Sequence, residues 1–99
     1  MAGEPASPSN CTVANITANT LEVSCLEGYD GGLPQIFVLQ VLAVKSEKLV
    51  ANLTSSTGPH FTVHALEAAT PYEMNIWAQN AKGNSPSVVL MAETYVSAI

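Results

Sequence analysis

The chain has 99 residues, 47% of them hydrophobic and 11% charged. That suits one small domain with a packed core and excludes a disordered tail. Only Lys45, Lys48 and Lys82 oppose eight acidic residues, for a net charge of -5; with no basic stripe, nucleic acid and anionic lipid are excluded as partners. No apolar run approaches the length of a membrane span. The polar, Pro-rich start shows no charged and then apolar leader. Residues 1–7 therefore read as a linker or added leader, 8–95 as the domain, and 96–99 as a C-terminal linker. The chain looks like one domain cut from a larger protein, with any membrane span lying outside it.

Taken in order, short alternating runs between turn signals predict strands rather than helices. Residues 11–16 (CTVANI) and 20–25 (TLEVSC) form a first pair, followed by the turn-rich loop GYDGGLP at 28–34. Residues 35–44 (QIFVLQVLAV) make a near-continuous apolar strand, which KSEK turns back into LVANLT at 49–54. After the loop SSTGP come HFTVHAL at 60–66, PYEMNIWAQN at 71–80 and SVVLMAET at 87–94. The expectation is an all-β sandwich of about seven strands.

The segment LEAATPYEMNIWAQNAKGNSP resembles the second half of a fibronectin type III domain. Leu66, Thr70 and Tyr72 fit the family's spacing, as do Ala78, Asn80, Gly83 and Ser85. Ala68 stands where the family often has proline. Gly31, Gly32, Pro34 and Phe37 match the preceding loop and third strand, so the resemblance runs from about Ser7 to Thr94. It implies a seven-stranded Greek-key sandwich in which Tyr72 packs its ring inside and bonds its hydroxyl back to the chain. Where the family usually places a core tryptophan on its second strand, this chain has Cys25. With Cys11 as a partner and the phrase DGGLPQIF, the chain is most similar to the fibronectin type III domain of insect Sidestep-family, or nephrin-like, cell-surface proteins of the immunoglobulin superfamily.

The two cysteines have three chemistries open to them: metal, nucleophile or disulfide. Opposing Cys11 and Cys25 puts Val13 opposite Val23 and leaves Cys11, Val13, Leu21, Val23 and Cys25 on one face. Facing Cα atoms in such a pair approach to ~4.5–5.5 Å, a distance a disulfide spans. Zinc would need further ligands, but His60 and His64 belong to another strand, ~13 Å apart along it, so no metal site is expected. Neither thiol sits beside a basic group or in a Gly-rich elbow. A disulfide between the first two strands is the favoured reading, with buried free thiols the main alternative.

Three Asn-x-Ser/Thr sequons begin at Asn10, Asn15 and Asn52. Together with the disulfide they point to glycosylation in an oxidising, secretory compartment. Asn10 has a weak middle residue, and Asn15 shares Val13's inward parity, so it requires the strand to end or bulge there. Asn52 lies on the outward face with Val50.

Alternation and the family match together place Ile36, Val38, Leu42, Val50, Trp77, Val89 and Met91 on the outer face of one sheet. Such a patch marks a partner or self-contact, a surface covered by a neighbouring domain, or simple β-propensity. His60, Thr62 and His64 read as a solvated strand face. No Ser/His/Asp set, paired carboxylates or phosphate loop stands out, and Asp30 reads as a turn former. No catalytic residue, cofactor or metal is expected.

The reading is of a non-enzymatic extracellular module from a type I cell-surface protein, acting as a membrane-proximal spacer. The Sidestep resemblance implies neuronal recognition and axon guidance through Beaten-path-like immunoglobulin receptors. Weak homodimerisation or direct protein binding through the Trp77 face, and an accessory role in a secreted enzyme, remain the alternatives.

Overall fold

In this computed structural model residues 2–97 are described. Met1 of the expected leader and residues 98–99 of the expected C-terminal linker lie outside them. The described residues form an all-β sandwich with strands β1 (Ser9–Ala14), β2 (Leu21–Leu26), β3 (Ile36–Ala43), β4 (Lys48–Ser55), β5 (His60–Val63), β6 (Pro71–Asn80), β7 (Gly83–Asn84) and β8 (Val88–Glu93). One sheet has the order β1-β2-β5; in the other, β4-β3-β6 is completed by β7 and β8, which both pair with β6.

The eighth strand arises in the stretch between the expected last two strands, where Gly83–Asn84 pairs with the end of β6. Residues 85–87 leave the ladder around Pro86, which has no N–H to give it. Ser85 fills the gap: its N–H donates to Ala78 O at 2.8 Å, and its Oγ accepts from Ala78 N–H at 2.9 Å. The buried Ser85 thus keeps β6 satisfied while the edge strand kinks.

Strict alternation on β2, β5 and β6 sends Leu21, Val23, Cys25, Phe61, Val63, Tyr72, Met74, Ile76 and Ala78 into the core. Phe37, Leu39 and Val41 meet them from β3. Two bulges adjust the registers. On β1, two residues oppose one between the pairs Ser9–Leu26 and Thr12–Ser24, and Asn10 takes a left-handed φ of 49° there. On β4, Val50 is the extra residue between Val41–Ala51 and Leu42–Leu49.

Cys25 fills a core position, and Cys11 is bonded to it with the Cα atoms 4.0 Å apart. Val13 lies opposite Val23, so the register expected from the cysteine pair holds. At the far end of the sandwich, Tyr72 is buried and its hydroxyl accepts the Glu67 N–H at 2.8 Å. That is the return bond the family resemblance implied.

Candidate functional site

The two poles of the sandwich are built differently, and each holds one end of the chain. At the entry pole the segment before β1 is docked, although its composition suggested a linker. Gly3 N–H donates to Gly31 O at 2.9 Å and Ala6 N–H to Tyr29 O at 2.8 Å. The Asn80 amide donates to Gly3 O and to Asp30 O, both at 2.8 Å, tying the segment to the end of β6. Pro5 and Pro8 are buried. Gly31 is required here twice over: its φ is 75°, and a Cβ would run into the Gly3 and Glu4 carbonyls. The ordered unit therefore begins inside the 1–7 stretch, because Gly31 leaves room for a backbone to lie on it.

Hydroxyls hold the exit pole. Thr94 Oγ1 donates to Glu67 O at 2.6 Å and accepts the Thr70 N–H at 3.0 Å. Tyr95 N–H donates to Thr17 O at 3.0 Å, and Tyr95 O accepts the Ala69 N–H at 2.9 Å. Entry and exit thus sit at opposite ends of the ten-residue strand β6, ~33 Å apart at strand rise.

The three sequon asparagines are all exposed. Asn10 occupies the β1 bulge, and Asn15 follows the end of β1 with φ 51°. Both adopt the left-handed conformation that asparagine tolerates better than most residues; the ended strand resolves Asn15's inward parity. Asn52 faces out from β4, directly opposite Gln40.

The outer face of the larger sheet differs from a continuous apolar patch. Register rows place Val38 between Thr54 and Trp77, Gln40 between Asn52 and Asn75, and Leu42 between Leu49 and Glu73. The row Asn52–Gln40–Asn75 is polar and divides the apolar residues into two groups. On one side Val38 is only 7% exposed, with the bulky indole of Trp77 as its neighbour, and Ile36 is half-buried. On the other side Leu42 is half-buried, while Leu49 and Met91 are 52% and 58% exposed; Val89, at 54%, lies opposite Asn75. Val50 does not join either row: the bulge turns it toward a hollow shared with Ala43, Leu66 and Tyr72, and Leu49 takes the place opposite Leu42. A bulge in a strand of unbroken alternation leaves no mark in the sequence, so Leu49 was missed.

Beside the polar row, Gln40, Asn75, Trp77, Asn84, Ser85 and Ser87 line an open hollow of about 360 Å³. The Trp77 Nε1–H is buried and has no hydrogen-bond partner among the described residues. Asn84 and Ser87 flank Ser85 and Pro86 in the irregular stretch between β7 and β8, so alternation alone did not place them there. His60, Thr62 and His64 are exposed on β5 and the residue after it. No group of three or more metal-ligating side chains occurs among the described residues.

The model of the fibronectin type III domain matches residues 6–91. Human nephrin is 29% identical over 82 residues, which are 82% of this chain and 7% of nephrin. The chain thus spans a small fraction of that relative's length. Among solved structures, domains d3-d4 of the rat CD45 extracellular region superpose with a TM-score of 0.83 at 21% identity, covering 94% of this chain and 51% of that one. The fn3 domain of human collagen alpha-1(XX) chain gives a TM-score of 0.80 at 24% identity, covering 100% and 92%. At such identities the two structures speak for the fold, while the match over residues 6–91 speaks for the family. The chain belongs to the fibronectin type III domain family.

Proposed function

We propose that this chain is a non-enzymatic extracellular module of a cell-surface adhesion or recognition protein, working as a stiff spacer near the membrane. The observation that carries the reading is the pair of clamped poles: the backbone enters at one end of β6, held by Asn80, and leaves at the other, held by Thr94. A module tied at both ends transmits orientation between whatever flanks it. The disulfide and the three exposed sequon asparagines, Asn10, Asn15 and Asn52, support glycosylation and an oxidising compartment. The similarity to nephrin supports a nephrin-like parent of the immunoglobulin superfamily, attached to the plasma membrane by a span outside this chain. The finer reading is a Sidestep-like parent in axon guidance, with Beaten-path-like receptors engaged by distal immunoglobulin domains.

A second reading has one observation in its favour. Leu49, Val89 and Met91 stand exposed on the same sheet face and would suit a weak homodimer or a direct protein contact. Light scattering of the glycosylated chain across a wide concentration range separates the two. The spacer reading expects a monomer throughout, with Trp77→Ala and Met91→Asp indistinguishable from it in mass. A concentration-dependent dimer that Met91→Asp abolishes would make the face a contact site instead.

A further inference from the structure

We propose that the hollow beside Trp77 is the seat of the chain's own Asn52-linked glycan, whose first sugars lie across β3 and supply an acceptor to the indole N–H. The inference rests on the secretory reading above. Three observations converge on it. Asn52 is exposed and carries Thr54 two residues on, a complete acceptor sequence. Register then sets Gln40 directly beside Asn52 and Asn75 directly beside Gln40, so the Asn52 amide heads a polar track. Strands ~4.8 Å apart put Asn75 only ~10 Å from Asn52 across the sheet, within reach of the Asn52 side chain and the first sugar ring it carries. The track ends at the hollow lined by Gln40, Asn75, Asn84, Ser87 and Trp77.

The lining suits a hexosamine. Side-chain amides and a hydroxyl both donate and accept, which matches ring hydroxyls and an acetamido group. Trp77 Nε1–H is a donor without a partner among the described residues, in a site where a buried unmet donor is costly, and a sugar acetamido carbonyl or hydroxyl satisfies it. The indole meanwhile offers a broad apolar surface to a sugar's C–H face. The bond itself forms before seating. Asn52 Nδ2 attacks the anomeric carbon of a lipid-diphosphate-linked oligosaccharide, the lipid diphosphate leaves, and the amide gives up one proton. A glycan so placed screens Val38 and Trp77 from other molecules and leaves the Leu49–Met91 side open.

Trp77 is the one tryptophan of the chain, so its indole signal needs no assignment. The test uses the chain secreted from eukaryotic cells with high-mannose glycans and 15N-labelled tryptophan. Intact mass and peptide mapping give the occupancy of each sequon. The indole N–H signal and its hydrogen exchange are then compared in the intact form, the form trimmed by endoglycosidase to a single GlcNAc, and the unglycosylated variants Asn52→Gln and Thr54→Ala. The proposal expects a shifted indole signal and at least tenfold slower exchange in both glycosylated forms than in either variant. An occupied Asn52 with an indole indistinguishable from the variants overturns the seating and leaves the secretory reading intact. An unoccupied Asn52 also overturns it, and occupied Asn10 or Asn15 with an oxidised Cys11–Cys25 pair then still supports secretion. If only the intact form protects the indole, sugars beyond the first reach it, and the stated geometry is wrong.

Discussion

The entry pole and the exit pole of this sandwich solve the same problem with different chemistry. Each must hold a chain end against an open end of the β-sandwich. At the exit pole, side-chain hydroxyls add to the backbone bonds of Tyr95: Thr94 bridges Glu67 and Thr70, and Tyr72 reaches back to Glu67. At the entry pole, backbone lies on backbone. Gly3 and Ala6 pair with Gly31 and Tyr29, and a single amide, Asn80, joins three segments. The hydroxyl clamps adjoin strands that the core already fixes: Tyr72 lies on β6, and Thr70 and Thr94 directly flank β6 and β8. The backbone clamp depends on the absence of a side chain at Gly31 and on the neighbouring disulfide, which closes β1 onto β2 beside it. The exit pole should thus fail only with the core, whereas the entry pole can open alone.

Removing the staple tests that difference most severely. Cys11→Ala with Cys25→Ala should cost ~3 kcal/mol, the chain-entropy value for a loop of about 15 residues, seen as a lower midpoint in urea unfolding. Exchange should quicken first at the entry side of β1 and β2. If protection falls equally at both poles from the outset, the poles are not independent.

Tyr72→Phe keeps the buried ring and deletes the hydroxyl that satisfies Glu67 N–H. The expected loss is about 1–2 kcal/mol of global stability, with the protection of the Gly3 and Ala6 amides unchanged from the parent chain. Loss confined to the exit pole, with no change in global unfolding, would contradict the claim that this clamp belongs to the core.

Gly31→Ala attacks the other clamp. A left-handed φ and a Cβ against the Gly3 and Glu4 carbonyls cannot both be accommodated while the segment stays docked. Because the segment can simply lift off, the loss is capped at what docking contributes, about 1 kcal/mol. The Gly3 and Ala6 amides should exchange freely while the β6 amides are unchanged. The smallest effect is expected at a side chain that belongs to neither clamp: Met91→Thr, on an exposed edge strand, should stay within ~0.5 kcal/mol of the parent in the same unfolding experiment.

The two poles also differ in how legible they were. At the exit pole the return bond of Tyr72 was readable because Leu66, Thr70 and Tyr72 carry the family's spacing, whereas nothing in the sequence pointed to the Thr94 clamp. The core strands were readable from their period of two, and the cysteine pair from its register with Val13 and Val23. The entry segment looks like a linker by composition, in its proline, serine and glycine, although its backbone is docked on Gly31 and Tyr29. Whether Pro5 is buried depends on a docking partner 26 residues away, the φ of Gly31, which no local pattern reports. The outer sheet face was half-legible. Alternation placed Trp77, Val89 and Met91 correctly, but the Val50 bulge exchanged Val50 for Leu49, and the tally of outward apolar residues overlooked that Gln40 and Asn75 line up between them.

The central claim is that both chain ends are rigidly coupled to the sandwich, since only then does the module set a reach. Backbone 15N relaxation of the oxidised, glycosylated chain tests it most directly. Order parameters of ~0.85 at residues 3–8 and at 94–95, matching those of β6, are the predicted result. Values below ~0.6 at residues 3–8, beside an ordered β6, would show a hinge at the entry pole and contradict the spacer account.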